Sequence, residues 1–174
     1  YGKGTLTTDL LSRLIKYANK NKKPVVVDPK GVDYSKYEGA TLITPNRKEA
    51  LEAANRSRED SIEAHLLAEE LDKKYNIENF LIPLGAAGML LHKSGTSSHG
   101  FHLKSVAREV FDVSGAGDTV AALIALSLAS QLSFEDSMGI ANIAAGCVVE
   151  KVRTIPVNLD MLTKALQNKD QANT

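Results

Sequence analysis

The residues with the clearest chemical potential lie in the stretch DVSGAGDTVAAL, residues 112–123. Gly115 and Gly117 permit backbone angles that other residues resist, and an apolar run that predicts a helix over 116–130 follows at once. Free N–H groups at such a helix start can face one point, where the helix dipole also favours an anion. Asp118, in the first helical turn, could then accept the proton of an alcohol during phosphoryl transfer.

Asp118 also has a simpler interpretation as a capping acid. A carboxylate in the first turn stabilises a helix by about 0.3–1 kcal/mol, and glycine turns before helices are common. The loop is not a Walker loop, because no Gly-Lys-Ser/Thr follows, and it lacks the third glycine of a dinucleotide fingerprint. The spacing alone therefore leaves a capping acid and a catalytic base both open.

Strands and helices alternate before this loop. Short apolar runs predict strands over 24–28, 40–44, 79–84 and 89–93, with a tight turn at 85–88 and one or two strands within 99–111. Helical spacing and cap residues predict helices over 5–22 (cap Thr7 or Thr8), 47–55 (cap Asn46), 61–75, 116–130, 134–151 (cap Ser133) and 159–167 (cap Asn158). This order predicts an α/β fold with a largely parallel sheet flanked by helices.

Two predicted helices carry apolar stripes that we expect to face the core. They comprise Leu10, Leu11, Leu14, Ile15 and Ala18 in the first helix, and Ile62, Leu66, Leu67 and Leu71 in the third. Asp28, Asn46, Gly85 and the loop 112–118 each follow a predicted strand. In parallel sheets ligands gather at the carboxyl ends of the strands, so we expect these residues at one edge.

Composition narrows the function classes. The chain of 174 residues has 21 basic and 21 acidic residues and no net charge, so neither a nucleic-acid nor a membrane partner is expected. The single cysteine, Cys147, excludes a disulfide framework and a cysteine-based zinc cluster, which favours an intracellular protein. The apolar run 120–129 is too short to span a bilayer. The chain begins without Met, which is typical of a fragment.

The stretch DVSGAGDT (112–119) resembles the C-terminal signature of the PfkB/ribokinase-like carbohydrate kinases. TPNRKEA (44–50) resembles the N-x-x-E motif of that family, LGAAGMLL (84–91) its glycine turn beside ATP, and ANIAAGCVV (141–149) its helix closing the nucleotide pocket. The resemblance implies a ribokinase-like fold, of which this chain holds the C-terminal, ATP-binding portion over 1–167, with 168–174 as a polar tail. It also implies ATP, Mg²⁺ and a monovalent cation such as K⁺.

The resemblance assigns roles to individual residues. Asp118 matches the catalytic base, and Gly115, Ala116 and Gly117 match the anion hole. Asn46 and Glu49 match the pair that organises Mg²⁺ and the ATP phosphates through water. Gly85, Gly88 and Asn142 match positions that line the nucleotide. Asp112 and the Ser114 carbonyl match the monovalent-cation loop. Pro83 departs from the family pattern, which has Thr or Ser there and so offers a hydroxyl to phosphate.

Further segments resemble the heptose 7-phosphate kinases of ADP-heptose synthesis, a subfamily of bacterial cytoplasmic enzymes. They are YGKGTL (1–6), VDPKG (27–31) and YEGATLITPNRKEA (37–50). This resemblance implies phosphorylation of D-glycero-D-manno-heptose 7-phosphate at the anomeric hydroxyl, for the lipopolysaccharide core. The family fold has an N-terminal half with sugar-binding residues that this chain lacks, so we expect the chain alone to be inactive.

Two rival functions stay open at this point. One is a PfkB kinase for another sugar or sugar phosphate, and the other is a nucleotide-binding module without activity. A homodimer and a fused nucleotidyltransferase domain are compatible with each of them. Lys30 could equally contact a phosphate or be a solvated loop residue. His99 and His102 fall on opposite faces of a strand, so a metal role is not expected.

Overall fold

The computed structural model describes residues 4–96, 100–107, 112–151 and 155–172, with side chains through residue 167. These residues form two compact units. The first comprises the described parts of Tyr1–Leu84 and Met89–His102, and the second comprises Gly85–Gly88 and the described parts of Leu103–Thr174.

The described strands form one sheet in the order β1-β2-β3-β4-β5. Their bounds are β1 Val26–Val27, β2 Leu42–Ile43, β3 Asn79–Pro83, β4 Met89–Lys93 and β5 Phe101–Leu103. β1 pairs with β2 in parallel, β2 pairs with β3 in parallel, and β3 pairs with β4 antiparallel. The sheet is therefore mixed: parallel over its first three strands, as predicted, with the hairpin that the glycine turn 85–88 indicates.

The described residues of the first unit include three α-helices: α1 Thr8–Lys20, α2 Arg47–Ala53 and α3 Ala64–Lys74. α1 begins at its cap Thr7, whose hydroxyl accepts the N–H of Leu10 at 3.3 Å. The core of this unit is built from buried side chains of the sheet and of α2 and α3. Its largest members are Tyr34, Ile43, Leu51, Leu67, Leu71, Ile77, Phe80 and Ile82.

Two apolar stripes are narrower than predicted. In α1 Ile15 is 3% exposed, whereas Leu14 is 52% exposed. In α3 Leu67 is fully buried, whereas Leu66 is 45% exposed. Neighbouring residues on a helix point about 100° apart, so a short helix that packs through one stripe leaves one of two adjacent apolar residues at its margin.

The second unit contains α4 Ala116–Ala129, α5 Phe134–Val149 and α6 Leu159–Ala172. α5 is buried on several sides, as its apolar sequence predicts, and it packs against both α4 and α6. Ser133 caps α5 through the N–H of Asp136 at 3.0 Å, and Asn158 caps α6 through the N–H of Met161 at 2.9 Å. α6 continues five residues beyond the predicted end at 167, because NKDQA contains no helix-breaking residue.

The segment predicted to hold one or two strands, 99–111, contains β5 only within its described residues. Its remaining positions 99 and 108–111 lie outside the described residues. Among the helices that the structure describes, none has the length and apolar character needed to cross a membrane.

Candidate active site

The start of α2 is closed by its own side chains. Asn46 follows β2 and adopts extended backbone angles, and its Oδ1 accepts the N–H of Glu49 at 3.0 Å. In return, Glu49 Oε2 accepts the N–H of Asn46 at 2.9 Å. This capping box satisfies two N–H groups that a helix start would otherwise leave open. Both readings of Asn46 and Glu49 from the sequence, cap and ligand, remain compatible with this geometry.

Lys30 joins two carboxylates at the ends of neighbouring parallel strands. Its Nζ lies 3.0 Å from Asp28 Oδ2 and 3.2 Å from Glu49 Oε1. Asp28 directly follows β1, and Glu49 is carried by the helix after β2. The prediction that Asp28 and Asn46 lie at the same edge of the sheet is therefore confirmed. Lys30 is not simply a solvated loop residue, because it forms ion pairs with both acids. Sequence reasoning missed this ion pair, whose only signal is a lysine two residues after a strand-ending acid.

The loop that carries Lys30 is held by its backbone. The Tyr37 hydroxyl accepts the Lys30 N–H at 3.1 Å and lies 3.3 Å from the Lys30 carbonyl, which also accepts from Lys36 Nζ at 2.7 Å. Gly31 follows with a φ of +88°, which favours glycine. The backbone of Lys30 is thus fixed while its side chain stays 42% exposed.

In the cluster of Asp28, Lys30 and Glu49, the charges of the two acids favour the protonated form of the lysine. Partial burial acts to lower the pKa of Lys30, but hydrogen bonds and charges from Asp28 and Glu49 outweigh it, so the pKa lies above its usual value. Tyr34, fully buried among the described residues, has a hydroxyl without a hydrogen-bond partner in the described part of the chain. Burial, and then the negative charge of Glu49, raise the pKa of Tyr34, so it stays a neutral phenol.

The start of α4 is built differently. Gly115 at the N-cap has a φ of +79°, and no side chain in the described part of the chain caps this helix. The Ala116 N–H bonds the Val113 carbonyl at 3.2 Å, and the Thr119 N–H bonds the Gly115 carbonyl at 2.9 Å. A Cβ at Gly117 would meet nothing within 4 Å. Asp118 is exposed in the first turn, beside the backbone of these residues.

Asp112 shapes the loop before α4. Its Oδ1 accepts the Ser114 N–H at 2.8 Å, and its own N–H bonds the Val149 carbonyl at 3.3 Å. The hydrogen bonds from the backbone and the side chain of Ser114 lower the pKa of Asp112. The carboxylate is therefore engaged in a local turn. The roles of Asp112 and the Ser114 carbonyl toward a monovalent cation remain predictions.

The two glycines of the hairpin turn differ. Gly85 has a φ of +60° and open space where a Cβ would lie. At Gly88 a Cβ would fall 2.0 Å from the Leu103 carbonyl oxygen and 2.6 Å from the Ser105 nitrogen. Position 88 therefore requires glycine, because the backbone of residues 103–105 passes too close for any side chain. At Gly85 the corresponding space is open.

Asn142 is a buried side chain of α5. It is 4% exposed, and its Nδ2 donates to the Lys104 carbonyl at 2.7 Å. This contact holds the segment after β5 against the helix. Its predicted place beside the nucleotide stays a prediction, as do those of Gly85 and Gly88.

The predicted site residues fall in both units. Asp28, Lys30, Asn46 and Glu49 meet in the first unit, and Gly85, Gly88, Asn142 and the stretch 112–118 belong to the second. For the members of the second unit the predicted common edge stays a prediction. His102 is exposed on β5, and His99 lies outside the described residues.

Comparison with solved structures defines the class of fold. The chain matches Arabidopsis thaliana ribokinase, solved with ribose and ATP, with a TM-score of 0.77 at 23% identity, over 92% of this chain and 53% of that one. It matches Escherichia coli phosphofructokinase-2, solved with potassium, with a TM-score of 0.75 at 21% identity, over 94% of this chain and 53% of that one. The chain has the ribokinase-like α/β fold, as predicted.

The family follows from the sequence match. The model of the pfkB family carbohydrate kinases matches residues 3–160, and the chain belongs to this family. Its members are phosphotransferases that use ATP.

The similar curated relatives are larger proteins. "Bifunctional protein HldE" of Desulfatibacillum aliphaticivorans is 45% identical over 97% of this chain and 34% of its own length. The protein of the same name from Caulobacter sp. (strain K31) is 48% identical over 93% of this chain and 33% of its own length. The chain thus spans about a third of the length of the relatives it matches.

Proposed function

We propose that this chain is the ATP-binding portion of a kinase that phosphorylates D-glycero-D-manno-heptose 7-phosphate at its anomeric hydroxyl. The product is the 1,7-bisphosphate, on the route to ADP-heptose and the lipopolysaccharide core. One observation carries the proposal: in a pfkB-family chain, a helix start without a side-chain cap presents its backbone beside an exposed acid, Asp118. The resemblance of VDPKG and YEGATLITPNRKEA to heptose 7-phosphate kinases, together with the HldE relatives, supports the choice of sugar.

In the proposed reaction Asp118 accepts the proton of the anomeric hydroxyl as its oxygen attacks the γ-phosphorus of ATP. The bond between that phosphorus and the bridging oxygen of ADP breaks, and ADP leaves. N–H groups of Gly115 and Gly117 stabilise the negative charge on the transferring phosphoryl group, whereas the Ala116 N–H already bonds the Val113 carbonyl. The partial positive charge of the helix start is suited to this task because no side chain of the described residues caps the helix.

The first unit is proposed to organise the nucleotide. Asp28 and Glu49 present carboxylate oxygens, the donors that Mg²⁺ prefers, and Mg²⁺ keeps several waters. Asp28 and Glu49 would hold the ion together with water, since no group of three or more His, Cys, Asp or Glu that could hold a metal occurs within the described residues. When bound, Mg²⁺ neutralises charge on the phosphates. Asn46 orients Glu49 for this role through the capping box.

The proposal assigns the remaining functions to the part of the relatives' sequence that this chain does not match. Sugar-binding residues and a fused nucleotidyltransferase domain are assigned to the sequence that this chain does not cover. We expect the chain alone to bind ATP and to turn over no sugar. A homodimer of the longer protein and a monovalent cation at the Asp112 loop belong to the same proposal.

The test is ADP release with a panel of acceptors. The chain is assayed alone and within the longer protein, with heptose 7-phosphate, fructose 1-phosphate, fructose 6-phosphate and free hexoses. The proposal expects strong preference for heptose 7-phosphate in the longer protein. Preference for another acceptor would retain Asp118 as base and overturn the sugar, and transfer to none while ATP binds would identify a module without activity.

A further inference from the structure

The side chain of Lys30 occupies a position that the proposed function does not explain. Its ammonium group sits between Asp28 and Glu49, 3.0 Å from one carboxylate and 3.2 Å from the other. Those oxygens are the same ones that would serve a divalent cation. A lysine there places a positive charge of the protein itself where Mg²⁺ would be expected to act.

Electrostatics make this ammonium a direct competitor. Two carboxylates that approach one point repel each other unless a cation lies between them. The side chains of Asp28 and Glu49 are 35% and 20% exposed, so water screens this repulsion only in part. Lys30 supplies the missing charge without any bound ion. A divalent cation must therefore displace the ammonium before it gains the full attraction of both acids.

The loop is built to let the ammonium move while the backbone stays. Tyr37 and Lys36 hold the N–H and the carbonyl of Lys30, and neither of them binds its side chain. The Lys30 side chain is the most exposed of the three charged groups in the cluster, at 42%. It can leave the carboxylates by rotating its own bonds, without unfolding the loop.

We propose that Lys30 is a tethered counter-ion that competes with the divalent cation for Asp28 and Glu49. Without nucleotide the ammonium holds the two acids and keeps cation affinity low. When the nucleotide phosphates arrive, they give the displaced ammonium a new anionic partner, so cation and nucleotide bind together. The second step rests on the proposed function, whereas the competition itself does not.

The experiment measures Mn²⁺ binding to the chain without nucleotide, by electron paramagnetic resonance of the free ion. Lys30→Met is expected to bind Mn²⁺ about tenfold more tightly than the unchanged chain, because one positive charge is removed from the site. Lys30→Arg keeps the charge and is expected to resemble the unchanged chain. Lys48→Met is the matched control, since it removes the same charge from an exposed position on α2 that, among the described residues, takes no part in the ion pairs of Asp28 and Glu49.

A second measurement adds ADP. The unchanged chain should gain more Mn²⁺ affinity from ADP than Lys30→Met does, because only the former must relocate an ammonium. Should Lys30→Met unfold, as judged by circular dichroism, Lys30→Gln replaces it in the same titration.

Mn²⁺ binding in Lys30→Met that is equal to or weaker than in the unchanged chain, or an equal gain of affinity in Lys48→Met, would overturn the proposal. A chain that binds no Mn²⁺ in any variant would overturn it too. None of these outcomes depends on the sugar acceptor. Tight binding in Lys30→Met together with failure of the acceptor panel would leave the counter-ion in place and remove only the proposed substrate.

Discussion

The starts of α2 and α4 are two solutions to one problem. Each follows a loop, carries an acid in its first turn and must satisfy free N–H groups. At α2 the Asn46 and Glu49 side chains close a reciprocal box, and Lys30 takes up the second oxygen of Glu49. At α4 a glycine in the left-handed region replaces the capping side chain, and Asp118 is exposed.

The difference between the two helix starts indicates which of them can bind an anion. The closed start of α2 presents the Glu49 carboxylate and the Asn46 amide oxygen, which already have hydrogen-bond partners, and this suits indirect contacts through water. The start of α4 presents backbone without a side-chain cap, and a helix that lacks its own acceptor favours an external one. Substitutions at each helix start test this difference separately.

The largest effect is expected for Asp118→Asn. If Asp118 is the general base, this change in the longer protein lowers kcat at least about 100-fold, while ATP affinity is retained. Asp160→Asn is the control, since Asp160 is also an acid in a first helical turn. Single-turnover assays and ATP titrations measure both quantities. Near-normal turnover would reduce Asp118 to a capping acid like Asp160.

A smaller effect is expected for Gly117→Ala. The added Cβ has free space in the structure and improves helix propensity, so stability should be unchanged or rise by up to about 1 kcal/mol. It would nevertheless project into the proposed anion hole and lower kcat about tenfold, by the loss of one stabilising contact.

Gly139→Ala in α5 provides the matched comparison, because its Cβ also meets nothing within 4 Å. Thermal unfolding and turnover are measured on both variants. If both keep full activity, the backbone at Gly117 does not approach a phosphoryl group.

The third effect concerns the closed start. Asn46→Ala removes a cap and should cost about 1 kcal/mol of unfolding free energy. Ser133→Ala at α5 should cost a similar amount. Only Asn46→Ala should also raise the KM for MgATP, because Glu49 loses its orienting partner. Urea unfolding and steady-state kinetics separate the two contributions, and an unchanged KM would leave Asn46 with a capping role alone.

The smallest effect concerns the loop before α4. The pKa of Asp112 lies below its ordinary value because Ser114 donates hydrogen bonds to the ionised form. A lowered pKa in the folded state contributes stability above the unfolded pKa, and this is lost as pH falls through the folded pKa. Ser114→Ala removes the side-chain bond and should raise the pKa of Asp112, as measured by NMR of the carboxyl carbon. An unchanged pKa of Asp112 would show that the Ser114 hydroxyl does not bond its carboxylate.

Local features of the fold could be predicted from the sequence. The caps Thr7, Asn46, Ser133 and Asn158 all accept hydrogen bonds at the helix starts where their spacing places them. A cap acts on an N–H two or three residues away, so a short window of sequence contains the whole interaction. The hairpin at 85–88 was predictable for the same reason.

Long-range features could not be predicted in this way. The ion pair of Lys30 with Glu49 joins residues 19 positions apart, and its existence depends on the parallel pairing of β1 and β2. The requirement for glycine at 88 comes from the backbone of 103–105, which no motif reveals. The motif residues Asn142 and Gly88 therefore have structural contacts that resemblance alone does not show.

The most direct test of the central claim is an NMR titration of the chain with MgATP. It compares backbone amides at the helix starts: Gly117 and Asp118 in α4 against Asp136 and Met161, whose N–H groups already bond Ser133 and Asn158. The account predicts saturable shifts at Gly117 and Asp118 and little change at the two capped references. Shifts confined to other residues, with ATP bound, would contradict the account, because the open helix start would then not receive the phosphates.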